Sequence, residues 1–293
     1  MTSGLRAPML MLNDASHTEI PQIGFGTFQI PADQTQRAVE EALEIGYRHI
    51  DTAAAYYNEE AVGAALKATG MAGQVFVTSK LRNCDQGYGQ TLIAFEDSRR
   101  KLGVDCVDMY LIHWPMPRID AYRQTWKALL KLRDDGEIRV PAVSNFLPEH
   151  LEALYEDSGE YPAVNQIENH PRYSQPETLR FCREHGIAVE AWSPLGHGGD
   201  MNAEPVVAAA EAHHVTPAEV VLRWYTQSGR IVIPKSKHAD RMRQNLASAG
   251  FDLTASELAA IDALSSPEGL IGADPVTYVQ SQSWADQKAR GNV

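Results

Sequence analysis

Short apolar runs alternate with amphipathic stretches along most of the chain. The runs fall at about 23–26, 47–51, 75–80, 107–113, 138–144, 163–168, 187–192 and 231–234, each short enough for a buried strand and several ending on a polar residue. Between them lie helical patterns. In QTQRAVEEALEIG, Ala38, Ala42 and Ile45 form one stripe with Val39 and Leu43 beside it, and Gly46 supplies a stop. Further helices are expected at 59–69, 87–102, 120–134, 148–157, 175–185, 203–213, 217–227, 240–248 and 255–264. The early segments MLMLN and TEIPQIG, separated by Asn13, Asp14 and Ser16, predict a hairpin.

Strands that alternate with helices require a parallel sheet covered on its faces, and eight such strands can close on themselves. No Pro/Gly-rich linker divides the series. The expected fold is therefore a (β/α)8 barrel, a single unit over 1–293, with an N-terminal hairpin and an extended C-terminal surface tail from Ser265.

In such a barrel the C-terminal strand ends converge on one mouth. Asp51, Lys80 and His113 each end a predicted strand, and Tyr56 and Tyr57 lie in the loop just after Asp51. A phenol there can donate a proton to an alkoxide that develops as hydride reaches a carbonyl carbon. Lys80 favours the phenolate, Asp51 holds Lys80 by a charge-assisted bond, and His113 orients the substrate oxygen. Each residue alone also fits a bland role: Asp51 as a loop cap, Lys80 as a solvated strand end, and either tyrosine as rim packing. Spacing leaves Tyr56 and Tyr57 as alternatives.

Composition narrows the partners. The 38 acidic residues against 26 basic ones give a net charge of -12, which disfavours nucleic acid while leaving room for a local phosphate site. Cys84, Cys106 and Cys182 are too scattered for a disulfide framework or a metal motif, and His49, His113 and His170 form no compelling ligand set. No metal is required. No apolar segment of about 18 residues suggests a membrane span, and the N-terminal segment lacks a secretory pattern, so a cytoplasmic location is expected.

The stretches DTAAAYYNEEAVG, VFVTSKL, YLIHWP, VSNF, NQIENHP, AWSPLG and IPKSKHADRMRQN closely resemble the aldo-keto reductase family, from about Ile20 through Asn245. The resemblance implies NADPH-dependent reduction of a small aldehyde or ketone, with a tetrad at Asp51, Tyr56, Lys80 and His113, which selects Tyr56 over Tyr57. It further implies that Ser144, Asn145 and Gln166 bind the nicotinamide carboxamide and that Trp192 stacks on its ring. Lys235, Ser236 and Arg241 near a helix start would take the adenosine 2′-phosphate, and Asn245 the adenine.

Two departures stand out. Ala142, after Pro141, replaces a glycine common before the residue preceding Ser-Asn, and Gln244 replaces a glutamate common before the Asn245 position. Phe28, Tyr57 and Trp114 are expected to line the substrate pocket, with Arg118 a weaker candidate for a polar substrate group. The resemblance makes a monomer the expected state, with a dimer left open. The competing functions are a non-redox acid-base barrel enzyme and a noncatalytic NADPH-binding protein on the same fold.

Overall fold

The computed structural model describes residues 5–279. The hairpin is present as β1 (Met9–Met11) and β2 (Glu19–Pro21), paired antiparallel with Met9 opposite Pro21. Asp14 fixes the turn by accepting from the Thr18 amide and hydroxyl, both at 2.7 Å. Leu12 and Ile20 then pack against Phe76, Met109, Leu111, Val140, Ala142, Val164 and Ile231 in a second buried apolar cluster. Alternate residues of neighbouring strands supply that layer, as a filled barrel interior requires.

The parallel strands are β3 (Phe25–Gly26), β4 (His49–Asp51), β5 (Phe76–Leu81), β6 (Val107–Ile112), β7 (Ile138–Ser144), β8 (Val164–Glu168), β9 (Ala188–Trp192) and β10 (Ile231–Val232). They neighbour one another in chain order. Closure comes from a parallel bridge between Ile23 and Val232, with Gly24 donating to Val232 O at 2.9 Å and Val232 to Gln22 O at 2.8 Å.

Helices α1 (Ala32–Ile45), α2 (Glu59–Thr69), α3 (Tyr88–Leu102), α4 (Tyr122–Asp134), α5 (Pro148–Ser158) and α6 (Pro176–Glu184) follow β3 to β8 in turn. Helices α7 (Glu204–His213) and α8 (Pro217–Gln227) both follow β9, while α9 (Ala239–Ala247) and α10 (Ala255–Asp262) come after β10. The expected barrel and its hairpin are thus observed. Some strands are shorter than their apolar runs. Tyr47 belongs to the turn that ends α1, its amide donating to Ala42 O at 3.0 Å and its hydroxyl to Met242 O at 3.0 Å.

The C-terminal segment lies on the surface as expected, and residues 266–279 of it form a strap across the C-terminal face of the barrel. Ser266 donates to Arg172 O at 3.0 Å, and the Ile271 and Gly272 amides donate to the Glu168 carboxylate at 2.6 and 2.7 Å. Tyr278 then packs tilted against Trp114 with ring centroids 4.3 Å apart. Main-chain amides do much of the anchoring, so no side-chain period announces it. The expected tail beyond residue 279 lies outside the described residues.

Helices α2 and α3 meet closely at Gly63. A Cβ there would fall 2.7 Å from the Leu102 carbonyl oxygen and also against that of Lys101, both backbone atoms that cannot step aside. Gly63→Ala is expected to destabilise the fold by about 1–3 kcal/mol through overpacking, read as a lower urea midpoint at unchanged slope.

Candidate active site

Three strand ends and one loop build the tetrad. Asp51 ends β4, Lys80 lies one residue before the end of β5, and His113 follows β6. The loop after β4 is fixed from inside: Thr52 Oγ1 donates to Asn58 Oδ1 at 2.8 Å, and Asn58 Nδ2 donates to Thr27 O at 3.1 Å. Held this way, residues Ala54–Tyr56 form one turn of 3-10 helix that returns Tyr56 over the mouth.

Lys80 is fully buried and has its ammonium surrounded by acceptors: Asp51 Oδ1 at 2.7 Å, Asp51 Oδ2 at 2.8 Å, Thr52 O at 2.9 Å and Tyr56 Oη at 3.4 Å. An ammonium only donates, so the phenol oxygen accepts from it and the phenol hydrogen is free to point elsewhere. Tyr56 and His113 stand edge to face with ring centroids 5.8 Å apart, and Phe28 covers Tyr56 from another side at 5.0 Å. The predicted tetrad is brought together.

Burial raises the Tyr56 pKa above its ordinary value; the Lys80 charge pulls it down, and Asp51 pushes it up again. The expected pull of Lys80 toward phenolate is therefore present but outweighed. For Lys80, burial disfavours the ammonium, yet Asp51 and Tyr56 together leave its pKa raised.

A second carboxyl was missed by sequence reasoning. Glu190, in the middle of β9, is fully buried, and neither of its oxygens makes a hydrogen bond of normal geometry. Burial, then the charge of Asp51, drive its pKa to about 8, with Lys80 and the Gln166 amide opposing. His49 Nε2 is 3.8 Å from Glu190 and 3.1 Å from Thr78 Oγ1, and burial lowers its pKa to about 4. An acidic residue inside a strand of apolar neighbours is the signal that marked Glu190.

The tetrad borders a cavity of about 660 Å³, lined by Asp51, Tyr56 and His113 together with Phe28, Trp114, Ser144, Asn145, Gln166, Trp192, Lys235 and Arg241. Lys80 lies behind them. Asn145 adopts a left-handed φ of 64°, at a cost that side-chain bonds offset. Its Nδ2 donates to His113 O at 2.9 Å and Ser144 Oγ at 3.0 Å, and its Oδ1 accepts from Trp192 Nε1 at 2.8 Å. Gln166 Nε2 donates to Asp51 Oδ2 at 2.9 Å.

Other predicted residues lie elsewhere. Tyr57 does not line the cavity: a left-handed φ of 56° ends the one-turn helix there and leaves the residue 42% exposed. Arg118 is exposed outside it. Ser236 and Asn245 are buried beside rather than in the cavity lining, with Ser236 Oγ accepting from the His238 amide at 3.1 Å. Ala142 sits in the barrel interior cluster, so its methyl meets core rather than the mouth. The cavity also includes Asn83, Met201 and the strap residues Ala273 and Tyr278, which the sequence did not single out for this site. Asn83 was detectable as a polar residue just past a strand end.

The aldo/keto reductase family model matches residues 22–266. An aldo-keto reductase of Mycolicibacterium smegmatis is 48% identical over 93% of this chain and 98% of its own length. The glyoxal reductase of Bacillus subtilis is 44% identical over 88% of this chain and 93% of its own. The crystal structure of apo Gox0644 superposes with a TM-score of 0.90 at 43% identity, covering 94% of this chain and 99% of that one; a Gox0644 mutant in complex with NADPH is equally similar in fold. The chain belongs to the aldo/keto reductase family, and its reaction is the NADPH-dependent reduction of a carbonyl group.

The ion pair below Tyr56 is the site's strongest electrostatic element. Lys80→Met strands the Asp51 carboxylate and is expected to cost about 3–5 kcal/mol of stability. The double variant Asp51→Asn, Lys80→Met should lose less than Lys80→Met alone. Chemical denaturation of the two variants against the parent checks the order.

Proposed function

We propose that Tyr56 is the proton donor for reduction of small aldehydes and ketones, with Lys80 and Asp51 positioning its phenol and His113 orienting the carbonyl oxygen. The observation that carries this is the 3.4 Å approach of Lys80 Nζ to Tyr56 Oη, with Lys80 locked on Asp51 and Tyr56 lining the cavity. Because the phenol oxygen accepts from Lys80, its hydrogen is available to a substrate oxygen. As charge grows on that oxygen, proton transfer from Tyr56 and donation from His113 stabilise it.

The residues present suit NADPH, which supplies the hydride when bound. Ser144 Oγ already accepts from Asn145, leaving its own hydrogen to donate to a carboxamide oxygen. The Asp51 carboxylate must receive the Gln166 NH2 group, which frees the other end of that amide to accept. Asn145, whose amide ties β6, β7 and β9 together, then acts by holding the Trp192 ring for stacking. Lys235 and Arg241, both in the cavity lining, provide cations for a 2′-phosphate; Ser236 would support the turn, and Asn245 the adenine end from outside the lining.

Phe28 and Trp114 provide the apolar walls against which a small carbonyl compound packs. Relatives include the glyoxal reductase and a methylglyoxal reductase of Yersinia pestis, 44% identical over 92% of this chain and 97% of its own. Compact dicarbonyls are therefore the first substrate class assigned. A monomer is the working assembly of this reading, and a cytoplasmic setting supplies the reduced cofactor.

Tyr56→Phe should lower carbonyl-dependent NADPH oxidation by about 10²–10⁴-fold while NADPH still binds. Full activity in that variant overturns the assignment. Arg241→Ala should weaken NADPH by about 10–100-fold and leave NADH nearly unchanged, as measured by cofactor titration.

The pH dependence follows from the raised phenol. Reduction uses the protonated form, which persists past the ordinary value of about 10, whereas alcohol oxidation needs the phenolate. Oxidation should therefore keep rising as pH passes 10, and Tyr56 should impose no alkaline loss of reduction below that. A fall in reduction near pH 8 that vanishes in Glu190→Gln would place that titration on Glu190 instead.

A further inference from the structure

Two segments outside the strands contribute to the cavity rim. The loop over 193–203 contributes Leu195, His197 and Met201, and the strap contributes Ala273 and Tyr278. They meet through a line of buried charged groups not used by the proposed chemistry. Glu168 Oε1 and Oε2 accept from the Ile271 and Gly272 amides of the strap at 2.6 and 2.7 Å. The same Oε1 is 3.3 Å from His170 Nε2, and His170 Nδ1 is 2.8 Å from Asp200 Oδ2 of the loop, a close ionic contact without hydrogen-bond geometry. Arg172 joins the far side: its Nε is 3.4 Å from Asp200 Oδ1, and its carbonyl accepts from Ser266 at the base of the strap.

This is a built arrangement. Glu168, His170 and Asp200 are each 2% exposed or less. Burial disfavours an imidazolium, but the Asp200 and Glu168 carboxylates outweigh it and hold the His170 pKa up to about 9, so the ring carries a positive charge at neutral pH between two acids. The strap end tolerates no bulk: a Cβ on Gly272 would fall 2.5 Å from Glu168 Oε2 and 2.6 Å from Trp192 Cη2. The strap therefore rests both on the carboxylate and on the ring assigned to the nicotinamide.

We infer that Glu168, His170 and Asp200 form a buried clamp that ties the strap over 266–279 to the loop over 193–203, so that the two covers of the cavity open and close as one. Glu168 and His170 are then positioning residues. They touch no substrate, yet they set where Tyr278 and Met201 stand. Cofactor bound under the loop would steady the strap, and a carbonyl compound held under the strap would steady the loop, since such coupling is reciprocal. This last consequence rests on the proposed use of the cavity; the clamp itself does not.

Hydrogen exchange by mass spectrometry on the full chain tests it. In His170→Gln, amides of 266–279 and of 193–203 should both exchange at least about 5-fold faster, with strands β4 to β7 unchanged. Asp200→Asn alters only the loop end of the clamp and keeps the test available should His170→Gln fail to fold; it should speed exchange in the strap, which Asp200 does not itself touch. Acceleration in one segment only, in neither, or uniformly through the barrel overturns the clamp. Adding NADPH to the parent protein should slow exchange in the strap as well as the loop.

Kinetics give a second readout. His170→Gln should raise the KM for methylglyoxal with kcat little changed, and Asp200→Asn combined with it should add nothing further. Multiplying effects would mean two independent supports. Absence of turnover in the parent protein would count against the carbonyl reductase assignment, whereas the exchange pattern would still decide for or against the clamp.

Discussion

The buried pairing of Lys80 with Asp51 is the constraint around which the mouth of this barrel is arranged. An ammonium with no exposed surface persists only when its charge is matched and its hydrogens are used. Meeting that demand fixes much else. It brings the ends of β4 and β5 to one point and draws in the Thr52 carbonyl. Asp51 in turn captures the Gln166 amide from β8, so a single carboxylate connects the proton-donor side to the proposed cofactor side. The loop that carries Tyr56 is held separately by Asn58, which is why the phenol can approach the lysine without being consumed by it.

Much of this was legible in the chain because it follows from periodicity. Eight apolar runs with helices between them are enough to predict the barrel, and three polar residues at run ends are enough to predict where they meet. Tyr56 was harder. Two adjacent tyrosines differ only in the backbone conformation each receives, and the left-handed turn at Tyr57 depends on tertiary packing that no local pattern records. The resemblance to a family chose between them before the geometry did.

Other features escaped for physical reasons. The strap is anchored by main-chain amides on Glu168, and amides look alike at every position of a sequence. Nothing adjacent in the sequence suggests Glu190; its ionisation is set by Asp51, Lys80 and Gln166, which come near it only in space. The pull of Lys80 on Tyr56 toward phenolate is present as expected, but burial outweighs it and leaves the Tyr56 pKa raised, and burial is the quantity a linear sequence shows least directly. Ser236 and Asn245 are buried outside the cavity lining, which periodicity alone does not show.

The strap also changes what limits the size of the molecules this protein can accept. Barrel walls made of hydrogen-bonded strands are stiff, and widening them would disturb the ion pair at their ends. A covering segment attached at a few points is not so bound: its slack can grow or shrink through changes far from the reacting atoms. On the proposed use of the cavity, part of the substrate range and the reaction chemistry are lodged in different parts of the chain, so that one can drift while the other stays fixed.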